Sequence, residues 1–591
     1  MVGSDLESEN GIATSDLNGL DYKKLEENGT KVILIAGGTK KWHNDYINGN
    51  ETSIYELTED GFVVVKKQKK QNMGNYKTLK NFLNYTYDNY RAEKYDLVFW
   101  NHGAGIFGNE FDELYGGDYL TTIEIKNAFE KSKFSKDNKL DAVVFRTCLN
   151  GTIEMADTIK DYSNYMVASQ EVALGYNKDS VLKYFNDVKG DENGYELGVK
   201  FVNGYKEYLN NLNIKYIYRT YSILDLNQVS ELETSVEDFF ESINLKNNYN
   251  KIAKIRAQMF QYGGDEKTYD SIDLYNFVDK LKYLSPDKGQ KVLDNIKKTV
   301  LYNSSTDTNS RGISIYFPYN AKKDEKNTIL TSYYNFNNLD KYKKFINEFY
   351  SMQSNSTKKH SYEKNIISYS ENSINNSADF YLELTDEQLN EYARAEYVVF
   401  LDHKDGTYVP IYRGRNVYQD SNLLKANIKG RQIEVHDAYD GSSTPITLIE
   451  YEETDEHIKY LTYILLKTED DVFAVAEASI ILNKDTNEIT LGPAFVKSNA
   501  DDDKALYNVL VDYDDYESIY FCITGYDILD NDGNYNSDWE RNETIEYFYA
   551  KFENLSFDLV DFNNGENEYY AVFYIYDVNN NVSFSNLIKI K

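Results

Sequence analysis

Two apolar runs set the first constraint on this chain. DLVFW (96–100) and DAVVF (141–145) each read as a strand buried within a sheet. The segments around them keep the same rhythm: residues 1–355 alternate apolar strands with helical patterns, as an α/β domain does. KVILIAGG (31–38) is a buried strand ending in a glycine turn, and YMVASQ (165–170) is a further short strand. Leu79, Phe82 and Leu83 stand at helical spacing in 76–90, TTIEIKNAFEKS (121–132) reads as a capped helix, and GTIEMADTIKDY (151–162) as another. Helices are expected over 180–212, 228–259 and 270–299, and a late strand at RGISIYFPYN (311–320).

The texture changes further along. Residues 353–376 are polar and aperiodic and read as a linker between a first domain (1–352) and a second (377–591). From there on, short alternating runs such as AEYVVFLDH, KYLTYILLK and EYYAVFYIYD are separated by Asn, Asp and Gly. That spacing predicts an all-β sandwich, with a jelly roll as one form of it.

Bulk properties narrow the function classes. A chain of 591 residues is too long for one core. Its net charge of −32 disfavours a nucleic-acid partner, because phosphates would be repelled. The same charge can supply carboxylates for Ca²⁺. Two cysteines, Cys148 and Cys522, exclude a disulfide framework. No run reaches the roughly 18 apolar residues of a membrane span. No signal peptide stands in this chain.

Each of the two buried strands ends in a reactive side chain. The first runs into His102 and Gly103, the second into Cys148, 46 residues beyond the histidine. A histidine and a thiol at the carboxyl ends of neighbouring strands suggest a Cys-His hydrolase, since thiolate chemistry needs a proton shuttle and an oxyanion site. Gly103 and Gly105 leave the backbone free to approach a substrate, and the amides of Gly103 and Cys148 are the expected oxyanion donors. The helix that starts just after Cys148 is expected to lower the thiol pKa.

GSDLES, TSDLN, WNHGAG, DAVVFRTCLNGTIEMA, YMVASQE, SILDLNQV, SIDLYNFV and GISIYFPY occur in an order that resembles the clostripain family of cysteine peptidases, within the caspase-like clan. The resemblance covers roughly residues 1–350. It implies a caspase-like αβα sandwich, His102 as general base, Cys148 as nucleophile, and Arg146, Ser169 and Glu171 among the substrate-binding residues. It also implies an endopeptidase, often Ca²⁺-stimulated and often secreted or surface-bound, whose chemistry requires no cofactor. Its partner is a peptide or protein substrate. The location implied is extracellular or at a bacterial cell surface, the latter through the C-terminal domain.

The chain departs from the family in two places. The family usually reads Asp-Ala-Cys-Leu-Met at the nucleophile, where this chain has Arg146, Thr147, Cys148, Leu149 and Asn150. The residue two before the cysteine lines the pocket for the side chain preceding the cut, and a carboxylate there recognises Arg or Lys. Arg146 reverses that charge, so trypsin-like specificity is expected to be lost and an acidic residue to be preferred. The alternative is an internally paired Arg146, for example with Glu171. The second departure is the start, where Met1 looks like the end of a central strand whose upstream half is missing; a leader is then expected to have preceded it.

Other candidates are fewer. Asp527, Asp530 and Asp532, followed by Gly533, resemble part of a Ca²⁺ loop, against the alternative of a solvated acidic turn. Trp42 and His43 follow a glycine turn and are read as packing rather than cleft residues. Cys522 lies in an apolar run and reads as buried packing. The competing function class is a catalytically degenerate relative kept as a surface binding or adhesion module, which Arg146 and Asn150 favour.

Overall fold

The computed structural model describes residues 1–212, 219–263, 269–319, 333, 338–354, 362, 365, 367–372, 377–402, 407–496, 508–526, 543–562 and 567–590. They form two compact units. The first is drawn from Met1–Tyr249, Met259–Ser351 and Ser498–Val509, the second from Asn250–Gln258, Met352–Lys497 and Leu510–Lys591.

One mixed sheet organises the first unit. At one side β1 (Ile33–Ala36), β2 (Ser53–Thr58) and β3 (Gly61–Lys66) make an antiparallel meander. Val2 bridges Ala36 and Trp100 in parallel and so joins the meander to β4 (Asp96–Trp100). A hairpin, β5 (Gly108–Asp112) and β6 (Asp118–Thr121), follows β4 outside the sheet. Then come β7 (Leu140–Arg146) and β8 (Ser163–Ser169), parallel to β4 and to each other. A two-residue β9 (Leu174–Gly175) follows. Beyond β8 the sheet turns antiparallel through β10 (Thr220–Asp225) and β12 (Val300–Ser305), while β11 (Ser271–Asp273) pairs with β13 (Ser314–Tyr316).

Burial explains why β4 and β7 are the spine. Leu97, Phe99, Trp100, Val143, Val144 and Phe145 are all buried, and the Phe99 and Phe145 rings stack at 5.3 Å. Each such side chain contributes about 1.5–3 kcal/mol on leaving water. The parallel pairings require crossovers, and helices supply them. Thr122–Glu130 connects β4 to β7 and starts in a capping box between Thr121 and Glu124, while Ile153–Ile159 connects β7 to β8.

Some expected helices divide. Residues 228–259 form two helices, Val229–Ser242 and Leu245–Ala257. Residues 270–299 contain β11 and then the helices Leu274–Leu281 and Pro286–Thr299. Pro286 stands at the first helical position, where its missing N–H costs nothing. In 180–212 a 3₁₀ turn, Leu182–Asp187, precedes the helix Gly194–Asn211.

The second unit is β-rich. Tyr392–Asp402 lies between Tyr408–Gly414 and Glu568–Asp577, and His457–Lys467 pairs with Phe473–Asn483 along its whole length. A smaller sheet pairs Ser377–Glu383 with Leu423–Lys429. The two sheets share one core, in which Phe380 and Phe573 stack face to face at 4.2 Å. Among the described residues no helix is long and apolar enough to cross a membrane.

Glu154 ties the helix after β7 to β13. Its Oε1 accepts from the Tyr316 N–H and the Tyr333 hydroxyl, both at 3.0 Å, while its buried Oε2 has no hydrogen-bond partner. Burial pushes this carboxyl up from 4.5 to about 7. Below pH 4.5 it is protonated in both folded and unfolded chains. Between pH 4.5 and 7 the unfolded chain releases the proton first, so stability falls as pH rises. Glu154→Gln removes that loss. Thermal melts are expected to match wild type at pH 4 and to show a variant about 3 kcal/mol more stable at pH 8.

Candidate active site

Strand register assembles the site. Val2 pairs with Trp100, and Trp100 pairs with Arg146, all in parallel. The residues that follow each therefore emerge together at the carboxyl edge of the sheet: Asp5 after Val2, His102 after Trp100, Cys148 after Arg146. The Ser4 hydroxyl caps the short helix Asp5–Asn10, which fixes Asp5 at its first position. The Asp5 Oδ1 meets His102 Nε2 at 2.5 Å. Burial alone would raise the Asp5 carboxyl, but the His102 charge and hydrogen bond outweigh it and hold it below its ordinary value.

Asn101 locks this edge. Its amide donates to Gly3 O at 2.7 Å and Phe111 O at 3.1 Å. Its carbonyl oxygen accepts from His102 N at 2.6 Å and Phe111 N at 3.1 Å. The Asp5 segment, the His102 turn and β5 thus hang on one buried side chain. Asn150 does the same between the two reactive turns: its amide donates to Gly105 O at 3.0 Å and Gly108 O at 3.3 Å, and its Oδ1 accepts from Thr147 at 2.5 Å. Asn150, a departure from the family pattern, is therefore a clamp.

Cys148 is closed in. It is 3% exposed, and His102 is 1% exposed. The Ala173 N–H donates to Sγ at 3.3 Å, and the Gly103 N–H also faces the sulfur. The approach of Gly103 is close enough that a Cβ on it would stand 1.9 Å from Cys148 O. Leu149 adopts φ 62°, a left-handed conformation that costs a branched residue roughly 1–3 kcal/mol. The sequence leads one to expect a lowered thiol pKa, and here the structure corrects it. Burial pushes the thiol up to about 11, and the Ala173 and Gly103 amides and the Arg146 charge offset this only in part. The helix Ile153–Ile159 begins five residues beyond Cys148, and a dipole effect fades within a turn.

Arg146 is buried and already partnered, though not by Glu171. Its Nε lies 3.7 Å from Asp16 Oδ2, and its Nη2 donates to Leu174 O at 2.9 Å. Burial alone would lower the guanidinium pKa; the Asp16 charge reverses this and raises it. Asp16 also accepts from Trp100 Nε1 and Val181 N, both at 2.7 Å. So Arg146 is not the uncompensated cation that an acidic preference requires. Glu171 Oε1 instead accepts from Val172 N at 2.8 Å and Gly263 N at 3.1 Å, and burial raises this carboxyl to about 7. Ser169 Oγ bonds Thr220 Oγ1 at 2.8 Å, tying β8 to β10.

Sequence reasoning missed Asp5, Asp16 and Asn101. The available signals were a Ser-Asp helix start at residues 4–5 and a polar residue ending an apolar strand at 101. His43 donates its backbone N–H to Glu7 at 2.6 Å, and Trp42 is buried, in line with packing. Cys148 and Cys522 are free thiols, and Cys522 is half-buried. Asp527, Asp530 and Asp532 lie outside the described residues. Among the described residues no cluster of His, Cys, Asp and Glu is arranged to hold a metal.

Asp16→Asn leaves a buried guanidinium without its counter-charge, and urea unfolding should show a loss of about 3–5 kcal/mol. In a Cys522→Ser background without substrate, alkylation of Cys148 by iodoacetamide should rise with pH toward a midpoint near 11. A midpoint near 8 would contradict the buried thiol.

A profile of Peptidase C11, the clostripain family, matches residues 1–369. Clostripain from Hathewaya histolytica is 22% identical over 316 residues, covering 43% of this chain and 58% of its own, so the match spans less than two thirds of that relative. A secreted C11 cysteine protease from Bacteroides thetaiotaomicron, solved with an irreversible peptide inhibitor, superposes with a TM-score of 0.44 at 15% identity over 57% of this chain and 96% of that one. An inactive zymogen C11 protease from Parabacteroides distasonis gives 0.43 at 16%, over 57% and 93%. With residues 1–369 of 591 matched to the family profile, the chain belongs to the clostripain family.

Proposed function

We propose that this chain is a cysteine endopeptidase in which Cys148 is the nucleophile and His102, oriented by Asp5, moves the proton. The observation that carries the reading is the parallel register that delivers Asp5, His102 and Cys148 to one sheet edge, with Asp5 on His102 Nε2 at 2.5 Å. The resting sulfur is a protonated thiol. On attack, Sγ forms a bond to the scissile carbonyl carbon and its proton passes to His102, whose charge Asp5 stabilises. Backbone amides of Gly103 and Cys148 take the oxyanion. The tetrahedral species collapses, His102 protonates the departing amine, and a thioester remains. Water, giving its proton to His102, hydrolyses the thioester and returns the thiol.

Arg146 takes the basic residue out of the specificity, because this position offers a substrate Arg or Lys no carboxylate and its own guanidinium is already paired with Asp16. The β-rich unit, read as a β-sandwich, serves to bind substrate or a cell surface, and the working location is extracellular. Ca²⁺ stimulation belongs to the same reading, with its candidate loop at 527–532. A second reading, a catalytically silent binding module, draws on the near-complete burial of His102 and Cys148.

A casein or fluorogenic-peptide assay of the full chain separates the two. Cys148→Ala should abolish turnover, His102→Ala should lower kcat about 10²–10⁴-fold, and Asp5→Asn should lower it less, with KM little changed. Wild-type protein that neither cleaves peptides nor reacts at Cys148 with a peptidyl ketone, with and without Ca²⁺, would leave the binding-module reading standing.

A further inference from the structure

The space next to Cys148 has a definite size and charge. A cavity of about 10 Å³ opens there, lined by Leu6, Ile12, Trp100, Arg146, Ala173 and Gly175. That is room for about one water, close to the volume of a methyl group. Arg146 is the one charged side chain that lines the cavity. Its charge is met from behind by Asp16, and its Nη2 is held by Leu174 O at 2.9 Å. Asp16 does not depend on Arg146 for its place, because Trp100 Nε1 and Val181 N each donate to it at 2.7 Å.

We propose that the Arg146–Asp16 pair plugs the subsite for the residue before the scissile bond, so that the enzyme cleaves after glycine, alanine or serine, and that Asp16 is a latent cation receptor uncovered when Arg146 is truncated. The proposal rests on Cys148 being the nucleophile. Each competing side chain is disfavoured by a different observation. An acidic side chain would compete with Asp16 for a guanidinium that Asp16 already pairs, in a resting space of about one water. A basic side chain would face the guanidinium before reaching Asp16. Large apolar side chains exceed the resting space. A methyl or hydroxymethyl group fits, bounded by the side chains of Leu6, Ile12 and Trp100. Gly175 keeps even this space open, since a Cβ on it would lie 3.0 Å from Ile12 Cδ1 and 3.9 Å from Arg146 Nη2.

The test uses the full chain and matched fluorogenic peptides that differ only before the cut: Gly, Ala, Ser, Asp, Glu, Arg, Lys, Leu and Phe. The expected result for wild type is kcat/KM for Ala at least tenfold above Asp, Arg and Leu. For Arg146→Ala the Arg and Lys peptides should gain at least tenfold, and Asp16→Asn added to that variant should remove the gain. A wild-type enzyme fastest after an acidic, basic or large residue overturns the proposal, as does an Arg146→Ala protein that folds and gains nothing on Arg. The wild-type panel decides the first half even where the variant does not fold. Alkylation of Cys148 by peptidyl acyloxymethyl ketones bearing Ala, Asp or Arg separates the layers. Labelling fastest with Asp or Arg sinks this proposal alone, whereas no labelling by any of the three sinks the catalytic reading beneath it.

Discussion

The site depends on one buried amide. Asn101 makes four hydrogen bonds, to Gly3, His102 and both backbone groups of Phe111, and leaves none of its capacity unused. A β-sheet delivers chain ends to an edge, but it does not fix the turns that follow. Asn101 fixes the Gly3 segment and the His102 turn against β5, and Asn150 repeats the device on the cysteine side. A fully satisfied polar group in a low-dielectric interior is directional in a way that apolar packing is not. Here that directionality sets the Asp5–His102 hydrogen bond and the approach of Gly103 to Cys148.

Much of this was legible in the sequence, and the limits have physical causes. The strands at 96–100 and 141–145 stood out because both faces are buried, so their apolar runs are unbroken. β3 was missed because its residues are largely half-buried and blur into loop chemistry. The helices at 274–281 and 286–299 merged in the reading because their apolar faces continue across the break, and only Pro286 marks it. His102 and Cys148 were named because their chemistry is local to each residue. The partner of Arg146 was not, because nothing local distinguishes Asp16 from Glu171 when one lies 130 residues upstream and the other 25 downstream.

The thiol illustrates how one force overrides another. Two backbone donors and a nearby guanidinium favour a thiolate, yet desolvation wins. A buried protonated thiol is a weak nucleophile and also a poor target for oxidants. Ala173, which contacts the sulfur through both backbone groups, is the residue whose displacement would change that balance.

The pairing of Arg146 with Asp16 also bears on how such a site can arise. Neither charge is readily changed alone, since each is the other's buried counter-charge. A lineage that acquired either charge first would carry it unpaired in the interior, at about 3–5 kcal/mol out of a net stability of roughly 5–15. The passable routes are those in which both positions change together or in which another group already balances the first charge. A change of charge at this place is therefore expected to involve two residues from distant parts of the chain together rather than one alone.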